Sequence, residues 1–184
     1  MSANLVRTSK FLSLVLRHQP EKISLVLDEQ GWADVAELIL LANQAGHHLS
    51  RELLTRVVAE NDKQRFAFSA DGSQIRASQG HSIEVDLDLP PLAPPAVLYH
   101  GTASRFLDSI RATGLHSASR RHVHLSADET TAIKVGQRHG SPVVLQVRAA
   151  EMFAAGQRFF QSANGVWLTE RVPVEYIEFP AASG

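Results

Sequence analysis

The sequence predicts an α+β protein made of two lobes. Apolar residues recur at helical spacing in the first 60 residues, whereas most short strand candidates follow residue 96. Between these regions, four prolines within Pro90–Pro95 exclude both a helix and a paired interior strand. We therefore expect an amino-terminal lobe over residues 1–88, a linker over 89–95 and a carboxy-terminal lobe over 96–184.

The first lobe is predicted to begin with three helices. Apolar residues within Val6–Leu16 lie on one helical stripe, and Pro20 stops that helix. A second helix is expected from about Asp34 to Gly46, and a third follows Ser50, a favourable N-cap residue.

A β-hairpin is predicted after these helices. Arg65–Phe68 and Gln74–Ala77 are short alternating segments joined by a Ser-Ala-Asp-Gly turn. Because three helices followed by a hairpin are typical of a winged helix, we expect that fold for the first lobe.

The second lobe is predicted to be mainly antiparallel. Two helices are expected, Ser104–Ala112 ended by Gly114 and Asp128–Arg138 ended by Gly140. The strand candidates are Val97–Tyr99, Val123–Leu125, Val143–Val147, Val166–Leu168 and Tyr176–Phe179. The last strands are too close together in the sequence for βαβ crossovers, which favours an antiparallel sheet or sandwich.

The composition excludes several kinds of chemical site. The chain of 184 residues has a net charge of −1 and no cysteine, which excludes disulfides, thiolate catalysis and cysteine-containing metal sites. Fourteen of its eighteen cations are arginine, a residue suited to one localised phosphate site. No apolar run is long enough to span a bilayer and no signal peptide is recognisable, so we expect a cytoplasmic protein without a membrane partner.

The first lobe contains candidate phosphate-binding residues. Arg17 and His18 lie together at a helix end, where they either hold a phosphate and donate a proton to it or simply cap the helix. Arg65 and Arg76 lie on the predicted hairpin, and either contact a substrate or are solvated residues of the wing. A run of hydrogen-bond donors follows them: Gln79, Gly80, His81 and Ser82.

Histidines mark candidate positions in the second lobe. His100, Gly101 and Thr102 end a predicted strand and turn toward a helix, so they line either a ligand crevice or only a turn. His122 and His124 share one face of a strand, and with His100 they could bind zinc. Such a site would require a coincidence in space, and we expect no metal.

Six motifs in order resemble the RNA 2′-phosphotransferase family, known as Tpt1 in eukaryotes and KptA in bacteria. The resemblance covers about Lys10 to Phe179. The motifs are Leu12–Pro20, Asp28–Trp32, Asn61–Phe66, Ile75–Ser82, Leu98–Thr102 and Arg120–Ser126.

The resemblance implies a winged-helix lobe followed by a lobe of the ADP-ribosyltransferase fold, with the active site in the cleft between them. It also implies two substrates, NAD and an RNA carrying an internal 2′-phosphate, and no obligate protein partner is evident. Family members join the RNA phosphate to ADP-ribose with release of nicotinamide, and then release 2′-hydroxyl RNA and ADP-ribose 1″,2″-cyclic phosphate. In some organisms the family acts in tRNA splicing.

The resemblance also assigns roles to residues. The family's catalytic Arg-His-Arg-Arg set matches Arg17, His18, Arg65 and Arg120, with the adjacent Arg121 as the alternative for the last member. The implied NAD contacts are His100, Gly101, Thr102, His124 and Ser126. Additional substrate contacts are implied for Arg76 and the run Gln79, Gly80, His81 and Ser82.

Three other functions remain open at this point. A transferase could modify terminal phosphates of RNA or DNA and stop after the first step, and a non-catalytic module could bind RNA or ADP-ribose. A zinc-dependent hydrolase is the third class. Many ADP-ribosyltransferases have a catalytic glutamate on a late strand, but none occurs just before the apolar stretch Val166–Thr169. A phosphate acceptor is already anionic and needs no general base, so this difference favours phosphate over a protein side chain as the acceptor.

Overall fold

A computed structural model describes residues 3–61, 63–117 and 121–180 of the chain. The chain divides into two compact units, Met1–Asp88 and Leu89–Gly184. Residues 89–96, which include the prolines, form neither helix nor strand. Within the described ranges, no helix has both the length and the apolar character needed to cross a bilayer.

The three predicted helices of the first unit are present. They are α1 (Ala3–Arg17), α2 (Val35–Gln44) and α3 (Arg51–Ala59). The carboxylate of Asp34 accepts a hydrogen bond from the Glu37 backbone N–H at 2.8 Å, which caps α2. The hydroxyl of Ser50 caps α3 in the same way. Helix α1 begins three residues earlier than Val6, and α2 ends two residues before Gly46, because the apolar stripe defines a helix better than it defines its ends.

A small antiparallel sheet completes the first unit. The predicted hairpin is confirmed as β2 (Phe66–Phe68) and β3 (Gln74–Ala77), and Gly72 adopts a φ of +72° in its turn. A third strand, β1 (Ala33–Asp34), pairs with β3 and gives the order β1-β3-β2. The sequence did not reveal β1, because two residues are too few to show periodicity.

The core of the first unit lies between its helices and this sheet. Side chains from α1, α2, α3 and β3 are fully buried there: Leu12, Val15, Leu16, Leu38, Leu54 and Ile75. The last buried residue of α1, Leu16, immediately precedes Arg17 and His18. Packing of α1 therefore fixes where these two residues emerge from the helix.

The second unit contains eight short strands and three helices among its described residues. The strands are β4 (Leu98–Ala103), β5 (Leu115–His116), β6 (Val123–Leu125), β7 (Pro142–Val147), β8 (Phe159–Gln161), β9 (Trp167–Thr169), β10 (Arg171–Val172) and β11 (Ile177–Glu178). The helices are α4 (Leu107–Thr113), α5 (Glu129–Gly136) and α6 (Ala149–Ala154). This mixture of helices and small sheets is an α+β architecture.

All strand pairs in this unit are antiparallel over the described residues, as predicted. The sheets have the orders β11-β7-β4, β6-β9-β8 and β10-β5. A single bridge between Tyr99 and Ser126 connects β4 to the residue that follows β6.

Several predicted boundaries in the second unit were wrong. Strand β4 continues to Ala103, so the segment expected to turn after Tyr99 is extended instead. The predicted helix from Ser104 starts with a 3₁₀ turn before α4, and α5 ends at Gly136 rather than at Arg138. Tyr176 belongs to a 3₁₀ turn that precedes β11.

Candidate active site

Arg17 and His18 lie at the carboxyl end of α1 and are held by contacts from the hairpin region. The Arg17 guanidinium donates a hydrogen bond from Nη2 to the backbone oxygen of Arg65 at 3.2 Å, and its Cζ lies 5.8 Å from the centroid of the Phe66 ring. The backbone N–H of Ser82 donates to the Arg17 carbonyl at 2.9 Å. These contacts link the end of α1 to both sides of the hairpin.

His18 and Ser82 form a second link at the same place. The Nδ1 atom of His18 lies 2.9 Å from the Ser82 hydroxyl oxygen, and both side chains are exposed. Residues 64 positions apart in the sequence therefore present an imidazole and a hydroxyl to solvent side by side. Together they offer hydrogen-bond donors to an anion at this surface.

Arg65 is positioned by a buried asparagine. Its Nη1 atom donates to Oδ1 of Asn61 at 3.3 Å, and Nδ2 of Asn61 donates to the Ser9 hydroxyl at 3.3 Å. Asn61 is only 3% exposed, so this side chain is held firmly from α1. Asn61 was not predicted as a site residue, although it is the first residue of the motif Asn61–Phe66.

Arg76, on β3, lies against the aromatic ring of Trp32, the residue before β1. Its Cζ lies 4.4 Å from the centroid of the Trp32 ring, a cation–π contact that orients the guanidinium. Burial lowers the pKa of Arg76, while the carboxylates of Asp28 and Asp88 act in the opposite direction. An arginine remains charged under these conditions, so Arg76 adds a partly buried positive charge to the unit.

His81 lies beneath this group of cations and is not a surface donor. It is 5% exposed, and its Nε2 atom has no hydrogen-bond partner among the described residues. Burial lowers the pKa of His81 to about 4, and the charges of Arg17, His18 and Arg76 contribute in the same direction. The imidazole is therefore neutral at pH 7.

The remaining residues of this run are less informative. Gln79 and Gly80 are partly buried, and Gly80 adopts a φ of +87°, a conformation that glycine allows without strain. The glycine lets the chain turn from β3 toward the end of α1, where Ser82 contacts Arg17 and His18.

A groove of about 350 Å³ opens beside His18 and Arg65. It runs along α1 and is lined by Val6, Ser9, Lys10, Ser13, Leu14, His18 and Arg65. The first unit thus combines a group of cationic and hydrogen-bonding side chains with an adjoining surface groove.

The candidate residues of the second unit meet where β4 and β6 approach each other. The backbone N–H of Tyr99 donates to the Ser126 carbonyl at 2.9 Å, and the Ser126 N–H donates to the Tyr99 carbonyl at 2.8 Å. Nδ1 of His100 lies 3.1 Å from the backbone oxygen of His124. Four of the five predicted NAD-contact positions, His100, Gly101, His124 and Ser126, are therefore in or next to one strand junction.

His100 is held as a neutral ring with a defined tautomer. Because a carbonyl oxygen only accepts, Nδ1 of His100 is the donor in the bond to His124, which leaves Nε2 as an acceptor. Burial is the main cause that lowers the pKa of His100, and the charge of His139 adds to it. The junction can therefore accept a hydrogen bond from a hydroxyl group of a ligand.

Gly101 has a packing role that the sequence did not reveal. A Cβ atom at this position would lie 1.8 Å from the backbone oxygen of Ala132 in α5. Helix α5 is also close to β4 at Gly136, where a Cβ atom would lie 2.6 Å from the backbone oxygen of Thr102. Gly101 thus allows α5 to pack directly on β4, and Thr102 is buried at 6% exposure.

Arg120, the predicted last member of the catalytic set, lies outside the described residues, whereas its neighbour Arg121 is exposed. The ring of His122 meets that of Phe160 edge to face at 5.9 Å. Across the described parts of the chain, no group of three or more histidine, aspartate or glutamate side chains could hold a metal ion.

Comparison with known proteins gives a family match over most of the chain. A sequence model of the RNA 2′-phosphotransferase, Tpt1 / KptA family, matches residues 3–171. The chain belongs to this family. It is 60% identical over 176 residues to a protein of Agrobacterium fabrum named "Probable RNA 2′-phosphotransferase", covering 96% of this chain and 95% of the relative.

Two further relatives show the same extent of similarity. A protein of Pseudomonas aeruginosa with that name is 62% identical over 171 residues, or 92% of this chain and 94% of the relative. The "RNA 2′-phosphotransferase" of Escherichia coli is 58% identical over 176 residues, or 95% of this chain and 96% of the relative. The similarity to the family therefore includes both units.

Proposed function

We propose that the chain removes an internal 2′-phosphate from RNA with NAD as co-substrate. Family membership gives the reaction class, an RNA 2′-phosphotransferase. The observation that carries the proposal is the convergence of exposed His18 with the partly buried Arg17 and Arg65 in one region of the first unit. Two guanidiniums and an imidazole provide the charge and the donors that a phosphate dianion requires.

We assign one substrate to each unit. The first unit, with three helices and a three-stranded sheet, would be a winged-helix lobe that binds the RNA phosphate. Residues 89–95 would be the linker, and residues 96–184 a lobe of the ADP-ribosyltransferase fold that binds NAD. The antiparallel sheets of the second unit and its uncharged strand junction support this assignment.

In the first step, an oxygen of the RNA 2′-phosphate attacks C1″ of the nicotinamide riboside, and the bond to nicotinamide breaks. The phosphate is already an anion, so Arg17 and Arg65 need only orient it and need no base to activate it. On the NAD side, neutral His100 and the backbone around Gly101 would contact uncharged groups of the ADP-ribose. Thr102, His124 and Ser126 would complete that contact surface.

In the second step, the 2″-hydroxyl of the transferred ribose attacks phosphorus, and the RNA 2′-oxygen leaves. Charge accumulates on the phosphate oxygens in this transition state, where the two arginines of the first unit, with Arg120, would stabilise it. His18 would protonate the departing oxygen as a general acid. Its hydrogen-bonded neighbour Ser82 fixes the ring orientation that this transfer requires.

Arg76 and the run of residues from Gln79 to Ser82 would support RNA binding from the hairpin side. Ser82 is exposed beside His18 and can contact the phosphate directly. Gln79 and Gly80 shape the turn that brings Ser82 there, while Arg76 adds positive charge. His81 would also contribute to substrate binding, although it is only 5% exposed.

The test is to incubate the protein with NAD and a short RNA that carries one internal 2′-phosphate, and to follow all products by mass spectrometry. Loss of the 2′-phosphate together with ADP-ribose cyclic phosphate would establish both steps. Persistent ADP-ribosylated RNA would instead indicate a transferase that stops after the first step. Absence of NAD consumption would overturn the proposal.

The second step has its own test. In single-turnover reactions, His18→Ala should slow the conversion of the ADP-ribosylated RNA, because the leaving oxygen would lack its proton donor. Faster or unchanged conversion would remove the general-acid role from His18. The matched control is His48→Ala, an exposed histidine of the same unit that does not line the groove.

A further inference from the structure

The groove beside His18 and Arg65 follows one face of α1. Val6, Lys10 and Ser13 are spaced by four and three residues, so they lie in a line along the helix that continues toward Arg17. Lys10 is eight residues from His18, which corresponds to about 12 Å along the helix axis. The groove therefore extends well beyond the volume of a single phosphate group.

The groove is positively charged in a unit that is acidic overall. Up to Pro90 the sequence has 9 basic and 12 acidic residues. No carboxylate is among the described residues that line the groove, whereas Lys10, Arg65 and His18 are. Lys10 is exposed and forms no ion pair within the described ranges. This separation of charge selects an anionic occupant.

The groove also has an apolar part and a firm connection to the phosphate site. Val6 is 41% exposed, and Leu14, about two helical turns further along α1, is partly buried. The buried Ser9 is hydrogen-bonded to Asn61, the residue that holds Arg65. A ligand that fits this surface would alternate charged groups with flat uncharged groups. It would also extend from the phosphate site along α1.

We propose that this groove binds the RNA strand next to the 2′-phosphate, with Lys10 contacting a backbone phosphate of a flanking nucleotide. This inference rests on the function proposed above. Riboses or bases of the strand pack on Val6 and Leu14, which lie on either side of Lys10 along α1, and the hydroxyl of Ser13 donates to the strand. The enzyme would accordingly recognise an oligonucleotide and not only the modified junction.

The test compares two substrates that share one 2′-phosphorylated junction. One is the dinucleotide alone, and the other is a hexanucleotide extended on both sides of the junction. Lys10→Ala should raise KM for the hexanucleotide roughly three- to ten-fold, with little change for the dinucleotide. Lys10→Arg should restore the lower KM, and Val6→Asp, which adds an anion to the groove, should raise it.

The salt dependence provides a second readout of the same contact. Removing one phosphate contact to a single strand should reduce the slope of log(kcat/KM) against log salt by about 0.7. The matched control is Lys22→Ala, since Lys22 is also exposed in the first unit but does not line the groove. Equal effects of Lys10→Ala on both substrates, or no effect on either, would overturn the proposal.

Direct binding separates this proposal from the proposed reaction. Fluorescence anisotropy of the labelled hexanucleotide needs neither NAD nor turnover, so it works even if the wild-type protein consumes no NAD. Weaker binding by Lys10→Ala but not by Lys22→Ala would support the groove, and equal binding by all three proteins would overturn it. Equal competition by an oligoglutamate of the same charge would also overturn it, because the groove would then not select RNA.

Discussion

The two candidate regions differ in the groups that they would offer to a ligand. At the end of α1, the first unit presents long charged side chains, Arg17 and Arg65, which are oriented by hydrogen bonds from the hairpin and from Asn61. At the junction of β4 and β6, the second unit presents a neutral His100 and backbone groups fixed by sheet pairing.

The first region would bind its ligand mainly through charge, and the second mainly through the position of uncharged groups. In the first unit the candidate ligand-binding atoms lie at the ends of side chains, so their loss should reduce activity and leave the fold intact. In the second unit the candidate atoms belong to paired strands, so their loss should affect folding and binding together. Substitutions matched between the two regions can test this contrast.

The largest effect is expected when Arg65 is replaced. Arg65→Ala should lower kcat/KM by about 10²–10³-fold, since a donor to the reacting phosphate would be lost. Arg65→Lys should recover only part of this activity, because an ammonium cannot reproduce the planar fork. Steady-state kinetics with 2′-phosphorylated RNA would measure both values, and unfolding in urea should remain close to wild type.

The control for this variant is Arg7→Ala, at an exposed position of α1 in the same unit. It should leave kcat/KM within about two-fold, as expected for a surface substitution. Similar losses for Arg7→Ala and Arg65→Ala would show that net charge, and not the position of the guanidinium, determines the rate.

The reverse result is expected at Gly101. Gly101→Ala should destabilise the second unit by about 3 kcal/mol or more, because its Cβ would collide with the backbone of α5. Urea unfolding followed by the fluorescence of buried Trp167 would report this change. Gly156→Ala, where nothing lies within 4 Å but φ is +91°, should cost only about 1 kcal/mol. Equal stability of both variants would contradict the packing role.

Acid should weaken the first unit through His81. The pKa of His81 in the folded protein, about 4, is below the 6.5 of a free imidazole, so the unfolded chain takes up the proton first as pH falls. The free energy of unfolding should therefore decrease by roughly 2–3 kcal/mol as the pH falls from about 6.5 to 4.

His81→Phe removes the titrating group and keeps a ring in the site. The variant should lose less stability than the wild type between pH 7.5 and pH 4.5, measured by Trp32 fluorescence in a Trp167→Phe background. His48→Ala, an exposed histidine of the same unit, should retain the wild-type decline. An identical decline in His81→Phe would rule out His81 as the cause.

A smaller effect is expected for Asn61, which is buried and accepts a hydrogen bond from Arg65. Asn61→Ala should reduce kcat/KM about ten-fold, and Asn61→Asp, which keeps the acceptor for Arg65, should recover most of it. Asn43→Ala is the matched control, because Asn43 holds the Leu49 backbone through two hydrogen bonds away from the site. It should lower stability without lowering kcat/KM, and a kinetic loss equal to that of Asn61→Ala would indicate a general folding effect.

The sequence predicted α1 to α5 and the hairpin because their signals are local, but it did not predict the short helix α6. The stripe of α1, the caps Asp34 and Ser50 and the Asp-Gly turn each fall within a few residues. The short strands β1, β5, β8 and β10 were not predicted, since two or three residues show no periodicity and their pairing depends on other parts of the sequence.

The candidate site residues also divide into those with local sequence signals and those that depend on long-range contacts. Arg17, His18 and Arg65 were predicted because their motifs resemble a family, and the structure places them together. The burial of His81 and the packing role of Gly101 depend on contacts across 30 or more residues, which spacing alone does not encode.

Equilibrium binding of each substrate tests the division of labour between the units most directly. Dissociation constants would be measured separately for NAD and for a 2′-phosphorylated RNA, in the wild type and in Arg65→Ala and His100→Ala. We predict that Arg65→Ala weakens RNA binding at least ten-fold and leaves NAD binding unchanged, and that His100→Ala does the opposite. Equal weakening of both ligands by both variants, or NAD binding that depends on Arg65 alone, would contradict the account.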